Sequence, residues 1–167
     1  DFLKNMVTQL SSARLCSHLN LMQINIYAFM NQINDSIRML SWKDFNCELI
    51  MKDSLPLVEI DSQLLKQAII NIIKNAYEAM DGTGTISIQV FFKDQLLHIA
   101  IIDQGGGLDP ALAESIFDPF ITSKTGGSGL GLVITKQIIE AHHGILTCDS
   151  RPGDGCTFTI MLPLTQN

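Results

Sequence analysis

Between residues 103 and 132 the chain reads DQGGGLDPALAESIFDPFITSKTGGSGLGL, a carboxylate followed by two glycine clusters around a Phe-bearing segment. Backbone amides in glycine turns, and at the start of a helix that follows one, form a concave donor surface for an anion. One such cluster is weak evidence. Two of them, joined by a short loop and preceded by an acid at the end of an apolar run, predict a nucleotide site with a flexible lid. Residues 61–80 carry the second group of chemical side chains. Gln67, Asn71, Lys74, Asn75 and Glu78 fall within about a third of a helical circumference, opposite Leu65, Ile69, Ile72, Ile73, Ala76 and Met80. By pattern alone this is an ordinary amphipathic helix. Asparagine is a mediocre helix former, however, and a solvated face would favour Glu or Lys. Its amide oxygen is a neutral, hard ligand suited to a magnesium ion already held by phosphates.

Strand parity adds Asp103. Leu97, Ile99 and Ile101 share one face of a strand, and Asp103 falls in phase with them. A carboxylate turned towards the core needs a donor. The exocyclic amine of adenine would serve, and so would the amides of the glycines that follow it. Parity leaves the two equal.

These residues need elements to position them. Apolar periodicity predicts helices over 25–40, 61–80 and about 130–143, the last stopped by Gly144 in the left-handed position. Strands are expected over 47–51, 85–92, 96–103, Ile145–Ser150 and 157–162, with Lys93-Asp94-Gln95 and Pro152-Gly153-Asp154-Gly155 as hairpin turns. The fold class is α/β, a two-layer sandwich with a mixed sheet of about five strands packed on three helices.

The 167 residues suit one domain, and 46% apolar content suits a packed core. A net charge of −6 argues against nucleic acid as a partner, so an anion site must be local. Cys16, Cys47, Cys148 and Cys156 show neither metal nor disulfide-framework spacing, which favours a reducing, cytoplasmic setting. The chain begins with Asp1 and has no apolar run long enough to span a membrane. It is expected to be a soluble part of something longer.

QAIINIIKNAYEAM resembles the asparagine box of the gyrase/Hsp90/histidine-kinase/MutL ATP-binding fold, also called the Bergerat fold. DQGGGL resembles its first glycine box, IFDPFITSK the phenylalanine box of sensor kinases, and GGSGLGL the second glycine box. RPGDGCTFTIMLP stands in the place of the last box, so the resemblance covers residues 24–163 in family order. The short lid and the KNAYEAM form are similar to sensor histidine kinases of the nitrogen-regulation and sporulation type.

The resemblance implies roles. Asp103 would accept from the adenine amine, with Gly105 and Gly107 letting the backbone pass close to the base. Asn71, with Asn75 as a second candidate, would hold Mg2+ bridging the phosphates of ATP. Gly127, Ser128, Gly129, Leu130 and Gly131 would present amides and a helix end to the phosphates. Phe117 and Phe120 would anchor the lid, and Lys124 at its tip would reach the terminal phosphate.

Three departures qualify these roles. Glu78-Ala79 replaces a common Lys-Tyr pair, which leaves Lys74 as the candidate for the lost charge. Cys156 replaces a common Thr, and Thr157, carried as a candidate base contact, has the opposite strand parity. Gln67 stands where ATP-hydrolysing relatives place Glu, and glutamine cannot take a proton at neutral pH.

A kinase whose nucleophile comes from elsewhere is therefore favoured over a self-contained ATPase. His18, His98, His142 and His143 lack the context of a phosphoacceptor. Residues 1–23 then read as the end of a dimerisation and phosphoacceptor helix plus linker, and 24–167 as the catalytic domain. The implied partners are the protein's own dimerisation domain, in a homodimer, and the receiver domain of a response regulator. Any membrane attachment would come from segments outside this sequence. The alternatives are a Ser/Thr kinase of the same fold and a nucleotide-binding regulatory module.

Overall fold

The computed structural model describes residues 19–40, 42, 44–52, 54–121 and 129–166. The described chain is ordered β1 (Met22–Asn25), α1 (Ile26–Arg38), β2 (Phe45–Met51), β3 (Leu57–Ile60), α2 (Ser62–Ala79), β4 (Gly84–Lys93), β5 (Leu96–Ile102), α3 (Pro110–Ala113), α4 (Gly131–Ala141), β6 (Ile145–Ser150) and β7 (Cys156–Pro163). Five strands form one mixed sheet in the order β2-β4-β5-β7-β6. β2 runs parallel to β4, and the other neighbours are antiparallel. The expected sandwich is present, with α1, α2 and α4 burying apolar faces against one side of this sheet.

Alternation sets that side. In β5, Leu97, Ile99 and Ile101 are buried in phase, and in β7 so are Cys156, Phe158, Ile160 and Leu162. The register continues without a bulge, pairing Ile101 with Phe158 and Ile102 with Thr157. The opposite face is half-covered by pairs such as Phe91 and His98, whose rings stack at 4.8 Å.

Several boundaries differ from the sequence reading. β1 and β3 form a separate antiparallel ribbon that was not expected. Because β1 begins at Met22, the boundary expected between 23 and 24 falls inside an element. Residues 1–18, with His18 and Cys16, lie outside the described residues. The Asp94-Gln95 turn has both residues at positive φ, 51° and 63°, as a two-residue hairpin requires. The end of α4 also differs. Its left-handed residue is His143, at φ 52°, and not Gly144.

Gly144 is needed for space. A Cβ there would stand 2.6 Å from both the Met161 carbonyl oxygen and Leu162 Cδ2. The two positions should therefore respond in opposite directions. His143→Gly should hold or raise stability, by up to about 1 kcal/mol, because it removes the left-handed strain. Gly144→Ala should cost about 1–3 kcal/mol through overpacking. Urea unfolding midpoints of the two variants check this, and equal losses would contradict it.

Candidate functional site

The site is built on α2 and α4. Asp61 caps α2, its Oδ1 accepting from the Gln63 and Leu64 amides at 3.1 Å each. The Asp61 amide donates to Nε2 of His142 at 3.0 Å, and Nδ1 of His142 donates to the Ile138 carbonyl at 2.7 Å. Both ring nitrogens are thus engaged, with hydrogen on Nδ1, and the imidazole is wholly buried. The start of α2 is joined in this way to the end of α4, so the helices run antiparallel.

One further contact sets their separation near the other end. Nδ2 of Asn71 donates to Thr135 Oγ1 at 2.9 Å, and that hydroxyl donates to the Gly131 carbonyl at 2.9 Å. A Cβ on residue 131 would stand 2.8 Å from Asn71 Oδ1, so glycine there lets the asparagine reach the first turn of α4. Gln67, Asn71 and Lys74 from α2, with Gly131, Thr135 and Ile138 from α4, line an open pocket of about 250 Å³. Asn75 lies one turn further along α2 and does not line it.

The pocket meets the start of a helix. Leu130 is the N-cap of α4 rather than its first helical residue, and no side chain caps it. The dipole at this end of α4 favours an anion. The stems of the glycine-rich loop meet beside it. The Phe120 amide donates to the Gly129 carbonyl at 3.1 Å, and a Cβ on Gly129 would stand 2.6 Å from Phe120 Cα. Phe117 packs on the core, with Lys136 Nζ 5.6 Å from its ring centroid. Lys124, Gly127 and Ser128 lie outside the described residues.

Asp103 stands at the far end of α2. It is 3% exposed, and its Oδ1 accepts from the Gly105 amide at 2.9 Å and the Cys156 amide at 3.2 Å. Among the described residues nothing donates to Oδ2. The turn-capping reading thus describes one oxygen, and the other remains an acceptor. Burial pushes the carboxyl pKa above its ordinary value, against the two amide bonds that would lower it.

Gly105 and Gly107 leave room for the chain itself. A Cβ at Gly105 would stand 2.8 Å from the Ala79 carbonyl oxygen, and one at Gly107 would overlap the Arg151 carbonyl. Gly106, between them, has open space around it. The eight residue steps from Asn71 to Ala79 rise about 12 Å along α2, and this separates the buried acceptor from the start of α4.

Thr157 is not brought to this site. Its side chain lies on the face of β7 opposite Cys156 and Phe158, because the register contains no shift. Sequence reasoning missed Thr135 and Ser150. Ser150 Oγ accepts from the Leu108 amide at 2.8 Å and donates to the Gly155 carbonyl at 2.9 Å, joining the loop after Asp103 to the β6–β7 hairpin. A buried hydroxyl four residues after Gly131 was the available signal for Thr135. Ser150 offered none.

Residues 60–166 match the family described as histidine kinase-, DNA gyrase B-, and HSP90-like ATPase. The chain belongs to this family. Within the ATPase family, it is 43% identical over 122 residues to the signal transduction histidine-protein kinase AtoS of Escherichia coli K12, covering 72% of this chain and 20% of AtoS. It is 40% identical over 112 residues to sporulation kinase A of Bacillus subtilis, covering 67% of this chain and 18% of that protein. The chain therefore spans about a fifth of these relatives.

Solved structures agree. The catalytic domain of histidine kinase ThkA superposes with a TM-score of 0.75 at 30% identity, covering 88% of this chain and 97% of that one. Full-length ShkA in complex with AMPPNP superposes with a TM-score of 0.81 at 24% identity, covering 97% of this chain and 36% of that one, and shows the shared fold. The chain is built as the ATP-binding catalytic domain of sensor histidine kinases.

The buried carboxylate gives a stability test. With its folded pKa raised, Asp103 imposes no charge penalty in acid, where it is protonated in both states. As pH rises through the folded pKa, the charged form must be held in the core and stability falls. Relative to Asp103→Asn, the wild type should lose stability from acid towards neutral pH in urea unfolding. The opposite slope would show that the two amide bonds outweigh burial.

Proposed function

We propose that this chain holds Mg-ATP so that its terminal phosphoryl can be transferred to a histidine on the dimerisation domain of the same protein. From there it would pass to an aspartate of a response-regulator receiver domain. The observation that carries this reading is the separation of two unlike sites on one rigid helix. At one end is a buried carboxylate with an open acceptor. At the other are the N-terminus of α4, Asn71 and the cationic Lys74. A nucleoside triphosphate has the same polarity, with a donor-bearing base at one end and anionic charge at the other.

The donor set fits a magnesium ion carried by phosphates. Among the described residues no group of three or more His, Cys, Asp or Glu could hold a metal by itself. The Nδ2 bond to Thr135 turns the Asn71 amide so that Oδ1 lies against the α4 N-terminus. Bound there, magnesium would neutralise phosphate charge. Asn75 is its companion candidate one turn on. Gly127 and Ser128 are assigned to the phosphates by their place in the second glycine box, and Lys124 by its place at the end of the phenylalanine box.

The chain's own contribution is positioning and electrostatics, which carry most of the catalysis in phosphoryl transfer. Gln67, exposed at the pocket rim, orients but does not deprotonate. The nucleophile therefore comes from the acceptor histidine. His142 is excluded from that part by its two hydrogen bonds, and His98 by its stacked place in β5.

Calorimetric titration should show binding of ADP in magnesium, and radiolabelled ATP should leave no stable phosphate on this chain alone. Asp103→Asn places an amide donor against the adenine amine and should weaken ADP at least about tenfold. Asn71→Ala should weaken ATP in magnesium and have little effect in chelator. A loss confined to Asn75→Ala would move the metal to that residue. Unchanged affinity in Asp103→Asn would refute the base-reading role. Phosphate transferred to an added partner should be acid-labile, and acid-stable product would refute the histidine acceptor.

A further inference from the structure

The hairpin that supports Asp103 contains a pair of thiols that the proposed reaction does not use. The β6–β7 register sets Cys148 opposite Phe158 and Ser150 opposite Cys156. Cys156 and Phe158 share the buried face, so Cys148 and Cys156 are diagonal cross-strand neighbours on that face. Their mutual interaction raises the Cys148 pKa and lowers that of Cys156. Cys156 Sγ donates to Ser150 Oγ at 3.2 Å, and the charge of Asp103 opposes ionisation of that thiol. Cys47, alone in β2, is pushed up to about 11 by burial and has no such partner among the described residues.

Cys156 also grips Asp103 through its backbone. Its amide donates to Oδ1 at 3.2 Å, and its carbonyl accepts from the Asp103 amide at 2.9 Å. The same turn holds the following loop, since the Gly153 amide donates to the Gly106 carbonyl at 2.8 Å. Any change in how β6 and β7 sit at this end is transmitted to the carboxylate.

We propose that Cys148 and Cys156 form a redox modification site, oxidised by hydrogen peroxide to a cross-strand disulfide that distorts the setting of Asp103 and weakens nucleotide binding. This deepens the proposed function and rests on it for the binding half. The Cys156 thiolate attacks one peroxide oxygen, the O–O bond breaks, and a sulfenic acid forms as hydroxide leaves. The Cys148 sulfur then attacks the sulfenic sulfur. The S–O bond breaks, and the hydroxyl leaves with the Cys148 proton as water. In sum the two thiols lose two electrons and two protons, and the peroxide becomes two waters.

Diagonal cross-strand neighbours stand about 7 Å apart, at the upper limit that a disulfide can bridge. Closing the bond therefore has to draw the strands together beside Asp103. This is the mechanical lever. A thiol pair already within the disulfide span would oxidise without moving the carboxylate.

The test uses the full chain, treated with peroxide and then mapped by peptide mass. The peptide carrying both cysteines should lose two hydrogens and regain them with dithiothreitol. Calorimetry should show ADP affinity about tenfold weaker in the oxidised form. Amide exchange over residues 103–108, followed without ligand, should quicken. Cys148→Ser should bind ADP as the reduced wild type does and keep that affinity in peroxide. Absence of the Cys148–Cys156 linkage overturns the proposal, as does a linkage that leaves both affinity and exchange unchanged. Failure of the reduced chain to bind ADP would refute the proposed function instead, and mass and exchange would still decide the thiol pair.

Discussion

The antiparallel seating of α2 on α4 is the constraint from which the rest of the site follows. Two polar links fix it inside an otherwise apolar layer. The Asp61 amide meets the buried His142 imidazole at one end, and Asn71 meets Thr135 at the other. Each would be costly if left half-made, because a buried donor or acceptor without a partner loses its hydration for nothing. They therefore specify one rotation and one offset of the two helices. Apolar contacts alone, being non-directional, would tolerate several. With that offset set, Gly131 comes under Asn71 and the open end of α4 faces the polar side of α2.

Asp103 shows the complementary problem. Its carboxylate is held by two amides and enclosed by the end of α2 and the β6–β7 hairpin, yet burial raises its pKa. The fold accepts a group that is poorly solvated and incompletely paired. Sites of this kind trade stability for recognition, because an acceptor without water around it discriminates strongly among ligands. Gly105, Gly107 and Gly155 make the enclosure possible by removing side chains where backbone meets backbone.

How much of this was legible depended on whether a feature repeats. Helices 61–80 and 25–40 showed apolar periodicity over several turns, and β4, β5 and β7 showed clear alternation, so their faces were readable. Asp103 inherited its burial from three isoleucine or leucine residues in phase. The β1–β3 ribbon was invisible because strands of four residues carry too few positions for a period. Gly144 was misread because a glycine after a helix suits the left-handed position, whereas here Met161 and Leu162 exclude a side chain. The glycines around Asp103 signalled a close approach, expected to be that of a base. Which backbone approaches is a property of the tertiary fold, and it proved to be that of Ala79 and Arg151. Ser150 matters through Leu108, 42 residues away, so its type carried no signal, whereas Thr135 had the local one of a hydroxyl one turn after Gly131.

The two halves of the site finally depend on one another through rigidity. The anion end and the base end are joined by eight residue steps of α2, a helix whose apolar face is buried throughout. Such a helix cannot lengthen or bend without breaking backbone hydrogen bonds, so its rise acts as a fixed ruler of about 12 Å. A ligand shorter than this would satisfy one end only and lose the orientation that transfer demands. Adjustment must then come from the ends. At the Asp103 end it falls to the hairpin bearing Cys148 and Cys156, which lies outside the packed helix pair.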